Sequence, residues 1–355
     1  MNASTQPDHT DQENDVLEKN ASGQEDLENK DQATGSNIAS IPDPSLESFA
    51  IPSAPEGFRS GFIGIIGRPN VGKSTLMNKL VGQKIAITSP IAQTTRNRLQ
   101  GILTTPEAQF IFVDTPGIHK PHHQLGKVLV QNARTAIQSV DVLLFVVDST
   151  VEMGKGDRFI AELLRHTETP VILGLNKVDQ QPDNSQKVDA LDHSYLDFAE
   201  EKHWTPVKFS ALTGEGTEEL QKQLINNLEP GPYYYPPDLV TDQPERFIMG
   251  ELIREQVLMN TREEVPHSVA IAIEKVEEEA TLTRILATIN VERKSQKGII
   301  IGKGGTMIKT IGSAARQQIQ KLVMGKVHIE LFVKVQPKWR QSRSRLEELG
   351  YRLDD

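Results

Sequence analysis

The run Gly67-Arg68-Pro69-Asn70-Val71-Gly72-Lys73-Ser74 constrains this chain more than any other stretch. It follows a short apolar run, Phe62 to Ile66, and opens a segment patterned as a helix, Ser74 to Val81. Its glycines allow backbone conformations closed to residues with a Cβ, so successive N–H groups and a helix N-terminus can face one anion. Lys73 supplies a cation for β- and γ-phosphates, and Ser74 a hydroxyl for Mg²⁺. Asn70, Val71, Gly72 and Thr75 complete the loop around them. Strand, glycine-rich loop and helix in this order predict a phosphate-binding P-loop.

Further short runs repeat the strand texture: Phe110 to Val113, Val142 to Val147, Val171 to Leu175 and Val207 to Phe209. Uninterrupted apolar runs of this length suit strands buried on both faces of a mostly parallel sheet. The segments between them, such as Gln124 to Ser139, are long enough for crossover helices. The expected fold class is α/β, a doubly wound P-loop domain with its ligand at the carboxyl ends of the strands.

Three more motifs fall at those ends. Asp114-Thr115-Pro116-Gly117 offers a carboxylate to Mg²⁺ and a Gly117 amide that can sense a γ-phosphate. Asn176-Lys177-Val178-Asp179 specifies the base. The Asp179 carboxylate can accept from N1–H and the 2-amino group of guanine, whereas adenine would leave it unpaired. Lys177 would lie along the base. Ser210-Ala211-Leu212 follows the next strand, where the Ala211 amide could meet guanine O6. Between the P-loop and Asp114, Gln93-Thr94-Thr95-Arg96 reads as a mobile switch whose threonine completes the Mg²⁺ coordination, with Thr95 preferred over Thr94. The nucleotide is therefore expected to be GTP or GDP with Mg²⁺. Ser74, Thr95 and Asp114 would be the metal ligands, and Lys73, Thr95 and Gly117 the catalytic groups. His119, His122 and His123 read as part of a solvated loop rather than a metal site.

Gly231-Pro232-Tyr233-Tyr234-Tyr235-Pro236-Pro237-Asp238 interrupts both helix and central strand, marking a linker over residues 231–246. Its tyrosines could pack against the preceding domain or form a stacking platform for bases. Beyond it, Phe247 to Met259 is predicted as a helix, and Ser268 to Val276, Arg284 to Val291 and Val327 to Val335 as strands. Ile299 to Ile301 then lead into Gly302-Lys303-Gly304-Gly305 and a second helix running to about Val323. An apolar turn, a Gly-x-x-Gly loop and a helix framed by strands match a KH domain of type II, an α+β unit. Such a loop grips the backbone of about four nucleotides of single-stranded RNA. Lys297, Lys303, Lys309 and Arg316 flank it.

Taken as a whole, the charge opposes an RNA partner, because the 355 residues carry a net −9. Residues 1–57 alone carry −10, residues 58–239 carry −2 and residues 240–355 carry +3. Within residues 284–345, 14 bases face 2 acids. The acidic, apolar-poor stretch 1–57 reads as a disordered tail, either merely solvating or competing with phosphate for a basic surface. Deleting it should leave GTP binding intact. The domains expected are thus 58–230 for GTP and 247–355 for RNA. With no cysteine, disulfides, thiolate metal sites and cysteine nucleophiles are excluded. No apolar run is long enough for a transmembrane helix.

These motifs together resemble the translational GTP-binding proteins of the Era/TrmE/EngA group. Cysteine is absent, unlike in TrmE, and there is one P-loop, unlike in EngA; one G domain followed by one KH domain is similar to the Era family. Val240-Thr241-Asp242, Glu251-Leu252-Ile253-Arg254-Glu255 and Lys309-Thr310-Ile311-Gly312 extend the likeness. The resemblance implies a monomeric GTPase that binds small-subunit ribosomal RNA near its 3′ end and assists assembly of the 30S-type subunit. It also implies Thr95 as the Mg²⁺-sensing threonine. Ile118 stands where Ras-type enzymes carry a water-orienting glutamine, so intrinsic turnover is expected to be slow. Asn70 corresponds to an asparagine that helps bind K⁺ in several relatives. Two other readings stay open: a constitutive RNA-binding module in which nucleotide is structural, and a cytoplasmic GTPase held peripherally on a membrane through the basic stretch Trp339 to Arg345.

Overall fold

The computed structural model describes residues 51–91, 94–96, 98–115, 117, 137–349 and 351. Residues 1–50, most of the predicted helix Gln124 to Ser139, Ile118 and the three neighbouring histidines lie outside them. The apolar runs form β1 (Arg59–Ile66), β3 (Ala108–Asp114), β4 (Val142–Asp148), β5 (Val171–Asn176) and β6 (Thr205–Phe209), joined by β2 (Leu99–Thr104). Their order is β2-β3-β1-β4-β5-β6. All pairs are parallel except β2 with β3. The antiparallel edge strand β2 is absent from the sequence reading because only some of its residues are buried, so it lacks the uninterrupted apolar signature of its neighbours. Its free edge is covered by the linker: the Ile102 amide donates to Val240 O at 2.9 Å, and Thr241 Oγ1 to Gln100 O at 2.6 Å.

Helices cover both faces of the sheet, as a doubly wound fold requires. One face packs α1 (Lys73–Val81) and a later helix, Thr217–Asn226, through Leu76, Met77, Leu80, Leu220 and Leu224. The other packs α2 (Lys155–Leu164) and α3 (Ser185–Lys202) through Ile160, Leu164, Tyr195 and Ala199. With Thr217–Asn226 named α4, the carboxyl ends of β1, β3, β5 and β6 carry the four nucleotide motifs.

The linker tyrosines lie against this domain. Tyr233 packs on Phe58 and Tyr234 on Phe62, at centroid distances of 4.5 and 5.4 Å. The Gln109 side chain binds the Tyr234 and Tyr235 amides and the Tyr235 carbonyl. After the linker come α5 (Glu245–Asn260), the single turn α6 (Val265–Ser268), β7 (Ala270–Glu279), β8 (Leu282–Val291), α7 (Lys294–Ile301), α8 (Thr306–Ile319) and β9 (Lys326–Val335). The sheet order is β7-β8-β9, with β7 and β8 antiparallel and β8 and β9 parallel. Apolar residues of α5 at helical spacing, Ile248, Met249, Leu252 and Ile253, meet Ile285 and Ala287 of β8 and Ala315 and Ile319 of α8. Helix α8 ends at Ile319 rather than near Val323; Leu322 and Val323 still pack on this core from the following turn. Both sheets belong to one compact unit, Phe49–Asp355.

Candidate functional site

The P-loop wraps because its backbone is free to do so at two positions. Gly72 has φ 100°, and a Cβ there would sit 2.3 Å from Asn176 Nδ2; a Cβ on Gly67 would sit 2.3 Å from Val146 O. Asn70 also takes a left-handed φ of 66°, a conformation asparagine tolerates better than most residues. Helix α1 starts at Lys73 with Gly72 as an N-cap that offers no side-chain acceptor. Its first amides are therefore available to a ligand. Lys73 is buried, with Nζ donating to Gly67 O at 3.1 Å and Arg68 O at 2.9 Å. Loss of water pushes its pKa down to about 8, against the pull of Asp114. A cation this poorly solvated gains more than a surface lysine from an incoming phosphate.

Beside it, three oxygens converge. Ser74 Oγ lies 2.7 Å from Asp114 Oδ2 and 3.0 Å from Thr95 Oγ1, and Thr95 Oγ1 donates to Asp114 Oδ2 at 3.1 Å. Asp114 Oδ1 is buried with no hydrogen-bond partner among the described residues. Burial pushes this carboxyl above its ordinary pKa, while Lys73 and the two hydroxyls hold it back. Two hydroxyls and an under-satisfied carboxylate make a hard-oxygen donor set that fits Mg²⁺. Thr94 is turned away, its hydroxyl donating to Ile91 O at 2.7 Å, so Thr95 is the threonine brought to Ser74 and Asp114. Gly117 lies over the P-loop; a Cβ there would come within 2.8 Å of the Pro69 nitrogen.

At the base end, Asn176 is a structural tie. Its Nδ2 donates to Val71 O at 2.7 Å, and its Oδ1 accepts from the Ala211 amide at 2.8 Å. The Ala211 N–H, expected to face guanine O6, is thus engaged by Asn176. A buried amide at a strand end requires an acceptor, and Asn176 supplies it. The neighbouring Ser210 Oγ accepts from the Thr213 amide at 3.0 Å, and Leu212 is exposed. Lys177 pairs with Asp148 at 2.6 Å. Asp179 is exposed on a short 3₁₀ turn and has no side-chain partner among the described residues. A cavity of about 490 Å³ joins these parts, lined by Lys73, Ser74, Thr95, Gly117 and Lys177. It is also lined by Met259, from the far end of α5. Nothing in the sequence pattern distinguished Met259 from an ordinary helical residue.

The second site surrounds the Gly302-Lys303-Gly304-Gly305 turn between α7 and α8. Gly302, Gly304 and Gly305 have φ of 72°, 60° and 78°. A Cβ on Gly302 would press to 2.7 Å of Met307 Cβ, whereas Gly304 and Gly305 face open space. The loop therefore presents bare backbone at the uncapped start of α8. Between α8 and β9 runs a groove of about 460 Å³ with Ile308, Ile329 and Leu331 at its apolar wall and Lys309 and Arg316 beside it. Lys303, Lys309 and Arg316 are exposed and Lys297 is half-buried; none has a carboxylate partner among the described residues.

The stretch Trp339 to Arg345 does not form a free basic face. Trp339 is fully buried against Ala270, Leu346 and Tyr351. Arg340 pairs with Glu292, Arg343 with Glu347 and Arg345 with Glu348. Among the described residues no helix is long and apolar enough to cross a membrane.

Comparison with known proteins finds relatives for both parts of the chain. Residues 62–177 match the family model for a 50S ribosome-binding GTPase, and residues 264–340 that for a KH domain. GTPase Era of Rippkaea orientalis is 73% identical over 309 residues, which is 87% of this chain and 98% of that relative. GTPase Era of a Nostoc species is 74% identical over 306 residues, 86% and 94% of the two chains. Among solved structures, Era in complex with MgGDPNP and nucleotides 1506–1542 of 16S ribosomal RNA superimposes with a TM-score of 0.80 at 38% identity, covering 83% of this chain and all of that one. Aquifex aeolicus Era bound to GDP and AlF4− superimposes with a TM-score of 0.79, also at 38% identity and with the same coverage.

Proposed function

The chain belongs to the Era family of GTPases, and on that premise we propose that it binds small-subunit ribosomal RNA through its KH domain under control of GTP. It hydrolyses GTP to GDP and phosphate, and it serves assembly of the small ribosomal subunit. The Era relative solved with 16S ribosomal RNA nucleotides supports this choice of RNA. We assign residues 58–230 to GTP, 231–246 to the linker and 247–355 to RNA, with the protein acting as a monomer in the cytoplasm, where its ribosomal partner is.

The observation that carries the GTPase reading is the convergence of the Ser74 and Thr95 hydroxyls on the buried Asp114 carboxylate, whose Oδ1 has no partner among the described residues, next to Lys73. In the proposed complex the first amides of α1 and Lys73 hold the phosphates. Ser74, Thr95 and Asp114 would hold Mg²⁺, which when bound neutralises charge on the β- and γ-phosphates. The Gly117 amide meets the γ-phosphate and Asp179 reads guanine. Loss of the γ-phosphate frees Thr95 and Gly117 from their ligand, which releases the switch.

Asn70 lines the cavity and spends its Nδ2 on Pro90 O at 2.8 Å, which leaves Oδ1 as an acceptor for a monovalent cation. We assign K⁺ there as a stimulating ion. Exchanging K⁺ for Na⁺ at constant ionic strength is expected to slow turnover about tenfold; equal rates in the two salts would remove K⁺ from the account.

The RNA assignment is tested with Gly304→Asp. Gly304 has open space around it but a left-handed φ of 60°; aspartate tolerates that region better than most residues, so the loop keeps its fold at a cost of about 1 kcal/mol, while the new carboxylate faces the incoming phosphates. Affinity of the full chain for an RNA matching the 3′ end of small-subunit ribosomal RNA should fall about tenfold or more, with GDP affinity unchanged. Unchanged RNA affinity would place the RNA site elsewhere.

A further inference from the structure

The switch residues on either side of Thr95 are both gripped by the C-terminal domain. The Thr94 carbonyl accepts from Arg254 of α5. Arg254 is completely buried, and its guanidinium is squared up by Glu251, with Nε to Oε1 at 2.7 Å and Nη2 to Oε2 at 2.6 Å. On the other side, Arg96 is only 3% exposed. Its Nη1 donates to Val269 O at 2.6 Å and its Nη2 to Pro266 O at 3.0 Å, with the Tyr351 hydroxyl 3.3 Å away. The Trp339 and Tyr351 rings stack on each other 5.8 Å apart, and the Arg96 guanidinium lies 6.0 and 5.9 Å from their centroids. Among the described residues no carboxylate contacts this cation; carbonyl oxygens and aromatic faces hold it, an arrangement suited to the planar, weakly hydrated guanidinium.

Earlier in the same segment, the Thr88 amide donates to Glu255 Oε1 at 2.9 Å, and Lys84 pairs with Glu255 Oε2 at 2.6 Å. Ile87 is buried in the core formed by α5, β8 and α8. Thr95 thus stands between two anchors in the C-terminal domain, with adjacent Cα atoms only about 3.8 Å away on each side. The two anchors flank the residue whose hydroxyl reaches Ser74 and Asp114.

We propose that Arg96 and Arg254 are positioning residues for GTP hydrolysis, which fix Thr95 from the RNA-binding domain and so make recognition of Mg²⁺-triphosphate depend on both domains. The proposal rests on reading Thr95 as a Mg²⁺ ligand. It separates the triphosphate from the diphosphate: GDP is held by the P-loop and the Asn176–Asp179 loop, which neither arginine touches. Coupling of this kind requires a ligand that distinguishes the anchored from the released switch, and the γ-phosphate with its Mg²⁺ is that ligand.

The test titrates the full chain, in Mg²⁺, with a fluorescent non-hydrolysable GTP analogue and with fluorescent GDP. Arg96→Ala is expected to weaken the analogue about tenfold while GDP affinity stays within about twofold. Tyr351→Ala, which alters only the C-terminal wall of the cage, should shift the same ratio in the same direction. The double variant should be no worse than Arg96→Ala alone, because both remove one interaction. Arg96→Lys, which keeps the cation but cannot serve both carbonyls, should fall between. Equal loss of both nucleotides, or no change in either, would overturn the proposal. If Arg96→Ala fails to bind GDP at all, Tyr351→Ala decides alone by the same ratio. Thr95→Ala separates the two layers of the claim. If it has no selective effect on the analogue, the Mg²⁺-ligand reading falls; if it has one and the cage variants do not, only the positioning role falls.

Discussion

Replacing Asp179 by asparagine is expected to lower GTP affinity about 10⁴-fold, the largest single effect foreseen for this protein. The carboxylate is exposed and uncommitted among the described residues, so the substitution leaves the fold intact and changes only what the base meets. A carboxylate accepts from both guanine donors, whereas an amide turns one acceptor into a donor and faces the 2-amino group with a like group. The same amide suits a base with a carbonyl at that carbon, so xanthosine triphosphate should bind Asp179→Asn better than GTP does. Competition titrations with GTP, ATP and xanthosine triphosphate measure this directly. Undiminished GTP affinity in Asp179→Asn would show that base recognition lies elsewhere.

Gly72→Val should be nearly as damaging, by a different route. At φ 100° the new side chain is strained, and its Cβ would overlap Asn176 Nδ2. Asn176 in turn ties Val71 of the P-loop to Ala211. Moving it disturbs the phosphate cradle and the base end together. Affinity for GDP and for GTP analogues should fall about 100-fold or more, and the strain, about 1–3 kcal/mol, should lower the melting temperature by several degrees. Gly82→Ala is the matched control. Gly82 caps the other end of α1 at φ 78°, with nothing within 4 Å of a new Cβ. It should lose about 1 kcal/mol of stability and no nucleotide affinity. If Gly72→Val also loses only stability, the Asn176 bridge does not organise the site.

These two residues show which parts of the site were legible in the sequence. Phosphate is gripped largely by consecutive backbone amides, so its motif is contiguous, and the strand ends that present Asp114 and Asn176 announce themselves as buried apolar runs. The Gly-x-x-Gly turn is legible for the same reason. Side chains that act by bridging distant segments leave no such trace. Asn176 stands in a motif associated with the base, yet here it spends both ends of its amide on Val71 and Ala211. Arg96 meets Pro266, Val269 and Tyr351, far along the chain, and nothing in Gln-Thr-Thr-Arg indicates that its arginine is enclosed by a second domain. Strand β2 was hidden by its edge position, and the Trp339 to Arg345 stretch looked like a free basic surface until its ion pairs and the buried indole were placed. Charge behaved similarly: the net −9 was uninformative until the acidic tail was separated from the basic stretch 284–345, where Lys303, Lys309 and Arg316 lie exposed.

The central claim is that nucleotide state and RNA binding are coupled within one molecule. It is tested most directly by measuring affinity for the 3′-end ribosomal RNA probe with the full chain bound to a non-hydrolysable GTP analogue, bound to GDP, and free of nucleotide. Affinity should be about tenfold or more higher with the analogue than with GDP, a difference abolished by Thr95→Ala. The same RNA affinity in all three states would contradict it and leave the protein an RNA-binding module whose nucleotide is structural.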